Sequence, residues 1–248
     1  MQIIVNTLAT KYADEGSGIT LLLLHGWGDS LHTFDALARE MPGFRIVRLD
    51  LPGFGGSEKP NSVWGVAEYA LFVQAFCKKL RVEPQVLIGH SFGGRVIIKG
   101  AGEGILSPQK IILIASAGVA KKKTLKNILL MSFAKVGKLI TLVPPFSLYR
   151  QTIRKKLYGA IGSDYFAAGS MGPTFIKVVT EDLLEYAKKI RIPALLIWGS
   201  DDRSTPLLDG KKINEAIIGS ALEVITGATH FVHQERPQEV AALIQSFL

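Results

Sequence analysis

The sequence has 248 residues, enough for one large domain with a well-buried core, and its 48% hydrophobic and 20% charged residues are typical of a folded globular protein, which excludes a disordered chain. The single cysteine, Cys77, excludes an intrachain disulfide, and no uncharged apolar stretch reaches the roughly 18 residues of a membrane span. The amino terminus lacks the basic and apolar blocks of a signal peptide, so we expect a cytoplasmic protein.

Short apolar runs alternate with helical patterns along most of the chain. The opening residues 2–12 are typical of an antiparallel ribbon at a sheet edge. Runs that are apolar on both faces are typical of strands buried in a parallel sheet, and they occupy residues 19–24, 45–49, 85–89, 110–115, 194–198 and 221–225. Helical periodicity covers residues 31–40, 66–81, 92–103, 207–218 and 237–248. The alternation predicts an α/β fold with a doubly wound, mostly parallel sheet.

The alternation of strands and helices is interrupted in the middle of the chain. There the pattern predicts helices at residues 125–140, 146–158 and 174–189. The simplest account is a helical cap, residues 117–190, inserted into an α/β core of residues 1–116 and 191–248.

The formal net charge of +8 comes from one segment, since the chain has ten basic residues and no Asp or Glu between Lys121 and Lys156. Within it, residues 125–140 form an amphipathic pattern, which we interpret as a lid helix with an apolar face turned to the protein and solvated lysines. The alternative is a weak contact with an anionic membrane or an acidic substrate. We expect no nucleic-acid partner, because no nucleic-acid-binding motif accompanies the charge.

The strongest motif is Gly89-His90-Ser91-Phe92-Gly93-Gly94, which follows one predicted strand directly and begins a predicted helix. This is the G-x-S-x-G pattern in the strand–turn–helix setting that exposes a nucleophilic serine. Such a turn is tight, and glycines remove the Cβ atoms that would collide. The motif predicts Ser91 as a nucleophile, with the helix amino terminus offering backbone N–H groups to a developing oxyanion.

A second glycine-rich turn, His25-Gly26-Trp27-Gly28, follows another apolar run that ends at the same edge of the predicted sheet. We expect the backbone N–H of Trp27, together with that of Phe92, to form an oxyanion hole. A turn with a purely structural role would have the same shape, because the donor is a backbone group.

Two later apolar runs also end in loops with polar side chains. Asp201 and Asp202 follow one run, and His230 and His233 follow the last one. Since ligand sites in open α/β sheets gather at the carboxyl ends of the strands, we interpret His230 as a catalytic base and His233, closer to the last helix, as structural. The spacing does not choose between Asp201 and Asp202 as the acid that orients the base.

Together these motifs resemble the α/β-hydrolase superfamily, and within it the lidded group of carboxylesterases, meta-cleavage-product hydrolases and cofactor-free haloperoxidase-like esterases. The likeness covers nearly the whole chain, through residues 25–28, 50–57, 89–94, 190–202 and 230–237. In the family pattern the acid stands three places after the glycine of W-G-x-x-D. The resemblance therefore implies Ser91, Asp202 and His230 as the triad, in the family's order of nucleophile, acid and base.

Two departures from the family pattern narrow the implied chemistry. Members that hydrolyse haloalkanes or epoxides have Asp at the nucleophile position, so Ser91 argues against both activities. Many carbon–carbon bond hydrolases have Asn before the nucleophile, whereas this chain has His90, which disfavours that activity.

The resemblance implies a carboxylesterase-like serine hydrolase, which acts on small-molecule esters of small to medium, partly hydrophobic acyl groups through an acyl-enzyme. The alternatives are a carbon–carbon bond hydrolase, a thioesterase or a lactonase on the same triad, or a ligand receptor that retains the triad. The scheme needs no organic cofactor and no metal, and the sequence has no Cys/His cluster with zinc spacing. The sequence indicates no oligomeric state.

Overall fold

A computed structural model describes residues 1–120 and 169–248. The chain divides into two compact units, the first formed by Met1–Val119 with Lys177–Leu248 and the second by Ala120–Ile176.

Several predictions about the inserted segment lie outside the described residues. These are the predicted helices at 125–140 and 146–158 and all ten basic residues between Lys121 and Lys156. The boundaries of the helical cap, 117–190, stay a prediction.

The first unit is built on an eight-stranded sheet, whose strands in chain order are β1 (Gln2–Val5), β2 (Leu8–Glu15), β3 (Thr20–Leu24), β4 (Arg45–Leu49), β5 (Val86–His90), β6 (Lys110–Ile114), β7 (Ala194–Gly199) and β8 (Ala221–Ile225). Their order across the sheet is β1-β2-β4-β3-β5-β6-β7-β8. β2 is antiparallel to both β1 and β4, and all other neighbours are parallel. The mostly parallel α/β sheet predicted from the sequence is confirmed.

The described helices, numbered in chain order, are α1 (Asp35–Arg39), α2 (Val66–Leu80), α3 (Phe92–Gly102), α4 (Gly172–Thr180), α5 (Leu184–Ala187), α6 (Leu207–Ala216), α7 (Val232–Glu235) and α8 (Pro237–Phe247). Short 3-10 turns precede α1 at Leu31–Phe34 and α4 at Gly169–Met171. In the described ranges no helix is both long and apolar enough to cross a lipid bilayer.

The central strands are buried on both faces, because successive side chains point to opposite sides of a sheet. In β3, Leu22 and Leu24 belong to one hydrophobic core, which also contains residues of α2 and α3 such as Phe76 and Ile97. Leu21 and Leu23 belong to a second core, which also contains residues of α1 and α8. Because the sheet has one core on each face, the sequences of these strands are continuously apolar.

The last strand is the exception to this burial. β8 lies at the edge of the sheet, and three of its five residues, Ala221, Glu223 and Val224, are exposed. The prediction that residues 221–225 form a strand is confirmed, but the expectation that this strand is buried on both faces is wrong. An edge strand has a neighbour on one side only, so its apolar composition does not guarantee burial.

The boundaries of two other elements differ from the prediction. The opening ribbon continues beyond residue 12, because β2 extends to Glu15 and pairs with β4. The helical pattern at residues 174–189 is divided into α4 and α5, and a break at residues 181–183 separates them. There the N–H of Leu183 bonds the carbonyl of Gly118, and the N–H of Leu184 bonds the Asp182 carboxylate, so these backbone groups do not continue a helix.

Candidate active site

The parallel strands determine where the site lies. Because the strands from β3 to β8 are parallel, their carboxyl ends meet at one edge of the sheet. Ser91 follows β5, Asp202 lies in the loop after β7, and His230 lies in the loop after β8. The predicted nucleophile, acid and base therefore share the edge where ligands bind in open α/β sheets.

Ser91 occupies the sharp turn between β5 and α3. Its backbone has φ 49° and ψ −106°, an unfavourable conformation for a residue with a side chain. Two hydrogen bonds to the last residue of β6 and the segment after it hold Ser91: the N–H of Ser91 donates to the carbonyl of Ile114 at 3.1 Å, and the N–H of Ala117 donates to the carbonyl of Ser91 at 3.1 Å. The turn that carries the predicted nucleophile is thus fixed from both sides by one neighbouring segment.

Glycines around Ser91 make this turn sterically feasible. A Cβ atom on Gly93 would lie 2.0 Å from the carbonyl oxygen of Leu24, and one on Gly94 would lie 2.0 Å from Oγ of Ser116. Both distances are far below van der Waals contact. The close approach of the start of α3 to β3 and to the segment after β6 therefore requires glycine at both positions.

Asp202 and His230 are in direct contact. Oδ2 of Asp202 lies 2.8 Å from Nδ1 of His230, the Asp202 side chain is fully buried, and the His230 side chain is 13% exposed. Burial raises the pKa of the Asp202 carboxyl, but hydrogen bonds from His230 and Thr205 outweigh this effect and hold the pKa of Asp202 below its usual value. The carboxylate is therefore ionised and fixes the orientation of the imidazole.

The loop after β7 surrounds the Asp202 carboxylate with donors. The N–H groups of Ser204 and Thr205 donate to Oδ1 at 2.8 and 2.9 Å, and Oγ1 of Thr205 lies 2.7 Å from Oδ2. Asp201, the competing acid in the sequence, is exposed and accepts a bond from the Ser200 hydroxyl. Of the two aspartates, only Asp202 contacts His230.

His230 also lies beside the residue that precedes Ser91. The rings of His230 and His90 are 4.8 Å apart, and Nε2 of His90 lies 3.0 Å from the carbonyl oxygen of His230. The loop after β8 is thereby bound to the end of β5. The hydrogen bond from the Ser91 hydroxyl to Nε2 of His230, which would complete the predicted triad, stays a prediction.

The two residues predicted to form the oxyanion hole have rings in contact. The rings of Trp27 and Phe92 pack edge to face with centroids 5.3 Å apart, and Phe54 packs on Trp27 at 4.8 Å. This aromatic group joins the turn after β3 to the start of α3. Phe92 is the first residue of α3, where backbone N–H groups have no acceptor within the helix. The role of the two N–H groups as oxyanion donors stays a prediction.

Three histidines near the site are buried in the protein. Nδ1 of His25 donates to the carbonyl of Gly26 at 2.7 Å, and its Nε2 accepts from the N–H of Leu51 at 2.9 Å, so His25 shapes the turn after β3. His233 is fully buried and lies 2.9 Å from Oγ1 of Thr33, which agrees with its structural interpretation. His90 is 1% exposed. Burial lowers the pKa of all three, so they are neutral near pH 7.

Comparison with known proteins decides the family. The model of the alpha/beta hydrolase family matches residues 21–243. The chain belongs to this family. It is a hydrolase of the α/β type, as the sequence motifs imply.

Curated relatives of this α/β-hydrolase extend over almost the whole chain. The hydrolase YugF of Bacillus subtilis (strain 168) is 28% identical over 271 residues, which cover 98% of this chain and 94% of YugF. The 2-hydroxy-6-oxo-6-(2'-aminophenyl)hexa-2,4-dienoic acid hydrolase of Metapseudomonas resinovorans is 24% identical, over 96% of this chain and 87% of its own length.

A solved structure supports the fold of the α/β-hydrolase. The enol-lactonase from Burkholderia xenovorans LB400 superposes with a TM-score of 0.77 at 17% identity, over 100% of this chain and 99% of the lactonase. At this identity the likeness shows the fold alone.

The sequence motifs of this α/β-hydrolase do not reveal two of the residues that contact the Asp202–His230 pair. His90 stands out in the sequence only as a departure from the Asn of carbon–carbon bond hydrolases, and Thr205 belongs to no motif. The sequence gives only a weak signal for Thr205. It is a hydroxyl residue three places after the acid, and at this spacing two side chains can form a local hydrogen bond.

Proposed function

We propose that this α/β-hydrolase is a serine esterase, which cleaves carboxylic esters of small to medium, partly hydrophobic acyl groups through an acyl-enzyme on Ser91. The observation that carries the proposal is the 2.8 Å hydrogen bond between Nδ1 of His230 and the buried carboxylate of Asp202. A carboxylate on Nδ1 selects the tautomer in which Nε2 is unprotonated, which is the form that a general base requires.

In the proposed reaction, Oγ of Ser91 attacks the ester carbonyl while its proton passes to Nε2 of His230. The backbone N–H groups of Trp27 and Phe92 bind the resulting oxyanion, and each donor contributes about 3 kcal/mol to transition-state stabilisation. The carbon–oxygen bond to the alcohol then breaks as Nε2 returns the proton to the leaving oxygen. Water, deprotonated by His230, attacks the acyl-enzyme in the same manner and releases the acid and Ser91.

Two measurements test the nucleophile. We expect the protein to hydrolyse short p-nitrophenyl esters and to be labelled covalently by a fluorophosphonate, and we expect both reactions to be abolished in Ser91→Ala. Ser107→Ala is the matched control, because Ser107 is exposed just before β6, at the opposite end of the strands from the site. A folded protein that neither reacts with the probe nor hydrolyses any ester of a broad panel would overturn the proposal and favour a ligand receptor.

The identity of the acid has its own test. We expect Asp202→Asn to lower kcat by about 10³- to 10⁴-fold, because an amide in place of the carboxylate no longer selects the basic tautomer of His230. We expect Asp201→Asn to stay within about twofold of the parent kcat, because Asp201 is exposed and, among the described hydrogen bonds, its side chain bonds only Ser200. The reverse ranking of the two variants would overturn the assignment.

Cleavage of a carbon–carbon bond is the second candidate, favoured by the relative from Metapseudomonas resinovorans. A vinylogous diketone, assayed beside p-nitrophenyl esters of increasing acyl length, separates the two reactions. The ester proposal predicts a higher kcat/KM for at least one ester than for the diketone. The opposite order would favour the second candidate.

A further inference from the structure

The hydroxyl of Thr205 stands at a junction between the acid, the base and the strand next to the nucleophile. Oγ1 of Thr205 lies 2.7 Å from Oδ2 of Asp202, 3.1 Å from Nδ1 of His230 and 3.0 Å from the carbonyl oxygen of Ala115. A hydroxyl has one proton to donate and lone pairs to accept with. Its one proton lies within reach of both Oδ2 of Asp202 and the Ala115 carbonyl, as in a three-centre hydrogen bond. Its oxygen can at the same time accept a second, longer bond from the Nδ1–H of His230.

The backbone of Thr205 is fixed by two hydrogen bonds, so its hydroxyl has a defined position. Its carbonyl accepts a 2.8 Å bond from the indole N–H of Trp198, a side chain that is fully buried. Its N–H donates to Oδ1 of Asp202 at 2.9 Å. Thr205 itself is 8% exposed, so water has little access to compete for these bonds.

The contact of Thr205 with Ala115 links it to the segment that holds Ser91. Ala115 adopts φ 44° at the end of β6, a left-handed conformation that is unfavourable for alanine. Ile114 and Ala117, which flank Ala115 in the same segment, make the two backbone hydrogen bonds that hold Ser91. The bond from Thr205 to the Ala115 carbonyl therefore connects the loop of the acid to the segment that fixes the serine.

We propose that Thr205 is a positioning residue, whose hydroxyl holds Asp202 and His230 in register with Ser91 through the strand-end segment Ile114–Ala117. This inference rests on the proposed function, since it assigns Thr205 a part in the same serine hydrolysis. Thr205 does not touch the substrate in this role. Its effect is on the placement of the base in the transition state, and substrate binding is unaffected.

Three substitutions isolate the hydroxyl. Thr205→Val keeps the branched shape and removes the hydroxyl. Thr205→Ser keeps the hydroxyl and removes the methyl group, and Thr205→Ala differs from Thr205→Ser by the hydroxyl alone. On a p-nitrophenyl ester we expect Thr205→Val to lower kcat about 10- to 100-fold with KM within about twofold, the usual effect of removing a hydrogen bond to a charged group. We expect Thr205→Ser to stay within about threefold of the parent kcat.

Thr10→Val is the matched control, because Thr10 is also buried and its hydroxyl bonds a backbone carbonyl, that of Leu8, in the edge ribbon. We expect it to leave kcat and KM at their parent values. Should Thr205→Val fail to fold, the Ser and Ala variants differ by the hydroxyl alone and give the same comparison. Equal kcat in Thr205→Val and the parent, or in the Ser and Ala variants, would overturn the proposal.

A spectroscopic measurement separates this proposal from the proposed function. We expect the proton on Nδ1 of His230, which is hydrogen-bonded to the Asp202 carboxylate, to give a far-downfield NMR resonance in the protein without substrate. We expect Thr205→Val to shift or broaden this resonance and Thr205→Ser and Thr10→Val to leave it in place. An unchanged resonance in Thr205→Val would refute the role of Thr205, whatever the enzyme hydrolyses. If the parent hydrolyses no ester but Thr205→Val still shifts the resonance, the proposed substrate is refuted and the role of Thr205 is supported.

Discussion

His90 binds the backbone of His230 through its imidazole: Nε2 of His90 donates to the carbonyl oxygen of His230 at 3.0 Å. A carbonyl can only accept, so this contact assigns the proton of His90 to Nε2 and leaves its Nδ1 as a lone pair. Among the described residues that Nδ1 has no hydrogen-bond partner. The ring fits because residue 26 is glycine, where a Cβ would lie 2.9 Å from Nδ1 of His90.

This bond predicts that His90 positions the loop of His230. We expect His90→Phe, which keeps a ring but loses the donor, to lower kcat about tenfold at constant KM, the equivalent of one ordinary hydrogen bond. We expect His90→Gln, whose amide N–H can reach the same carbonyl, to recover most of the loss. Steady-state kinetics on a p-nitrophenyl ester measure both effects. A Phe variant with the parent kcat would show that the bond is dispensable.

The buried histidines predict how the free energy of unfolding depends on pH. Burial, aided by the nearby His230, lowers the pKa of His233 to about 3, whereas a histidine in the unfolded chain titrates near its ordinary value of about 6.5. Below pH 6.5 the unfolded chain therefore binds a proton that the folded protein does not. The stability contributed by neutral His233 is complete above the unfolded pKa and is lost as the pH falls from about 6.5 towards 3.

Urea unfolding between about pH 5 and 7.5 checks this dependence. We expect the free energy of unfolding to be nearly constant above about pH 7 and to fall with decreasing pH below about pH 6, where His233 contributes about 1.4 kcal/mol per pH unit. His233→Gln should reduce the slope by that amount, since the glutamine side chain does not titrate and its amide can either donate to or accept from the Thr33 hydroxyl. His32→Gln is the control, because the His32 side chain is 57% exposed. Equal slopes in His233→Gln and the parent would contradict the prediction.

Much of the fold and part of the site are predictable from the sequence for a simple physical reason. Strands buried on both faces must be continuously apolar, so runs such as residues 194–198 indicate a parallel sheet directly. A parallel sheet in turn brings the residues that follow its strands to one edge. This is why Asp202 and His230, 28 positions apart in the chain, can be expected to meet, as the 2.8 Å contact shows.

The remaining features depend on relationships that the local pattern does not contain. The exposure of β8 follows from its place at the end of the strand order, which is a property of the whole chain. The contacts of Thr205 with Ala115 and of His90 with the His230 carbonyl join residues 90 and 140 positions apart. A single side chain with such distant partners leaves no periodic signal in the sequence, so only the three-dimensional structure reveals these contacts.

The glycines of the serine turn give a prediction about packing. A Cβ on Gly94 would lie 2.0 Å from Oγ and 2.6 Å from Cβ of Ser116, a buried side chain after β6. We expect Gly94→Ala to lower the free energy of unfolding by about 1–3 kcal/mol and to reduce kcat, because the start of α3 must move away from this segment. The second change Ser116→Gly removes both clashing atoms.

The double variant therefore decides whether this contact is the cause. We expect Gly94→Ala with Ser116→Gly to be more stable than the sum of the two single effects predicts, by about 1 kcal/mol or more in a double-mutant cycle measured by urea unfolding. Gly104→Ala is the control, because Gly104 has φ 72° and no atom within 4 Å of its Cβ position. That variant should show only the cost of a left-handed alanine, about 1–2 kcal/mol, with kcat unchanged. Strictly additive effects in the cycle would mean that Ser116 does not impose glycine at position 94.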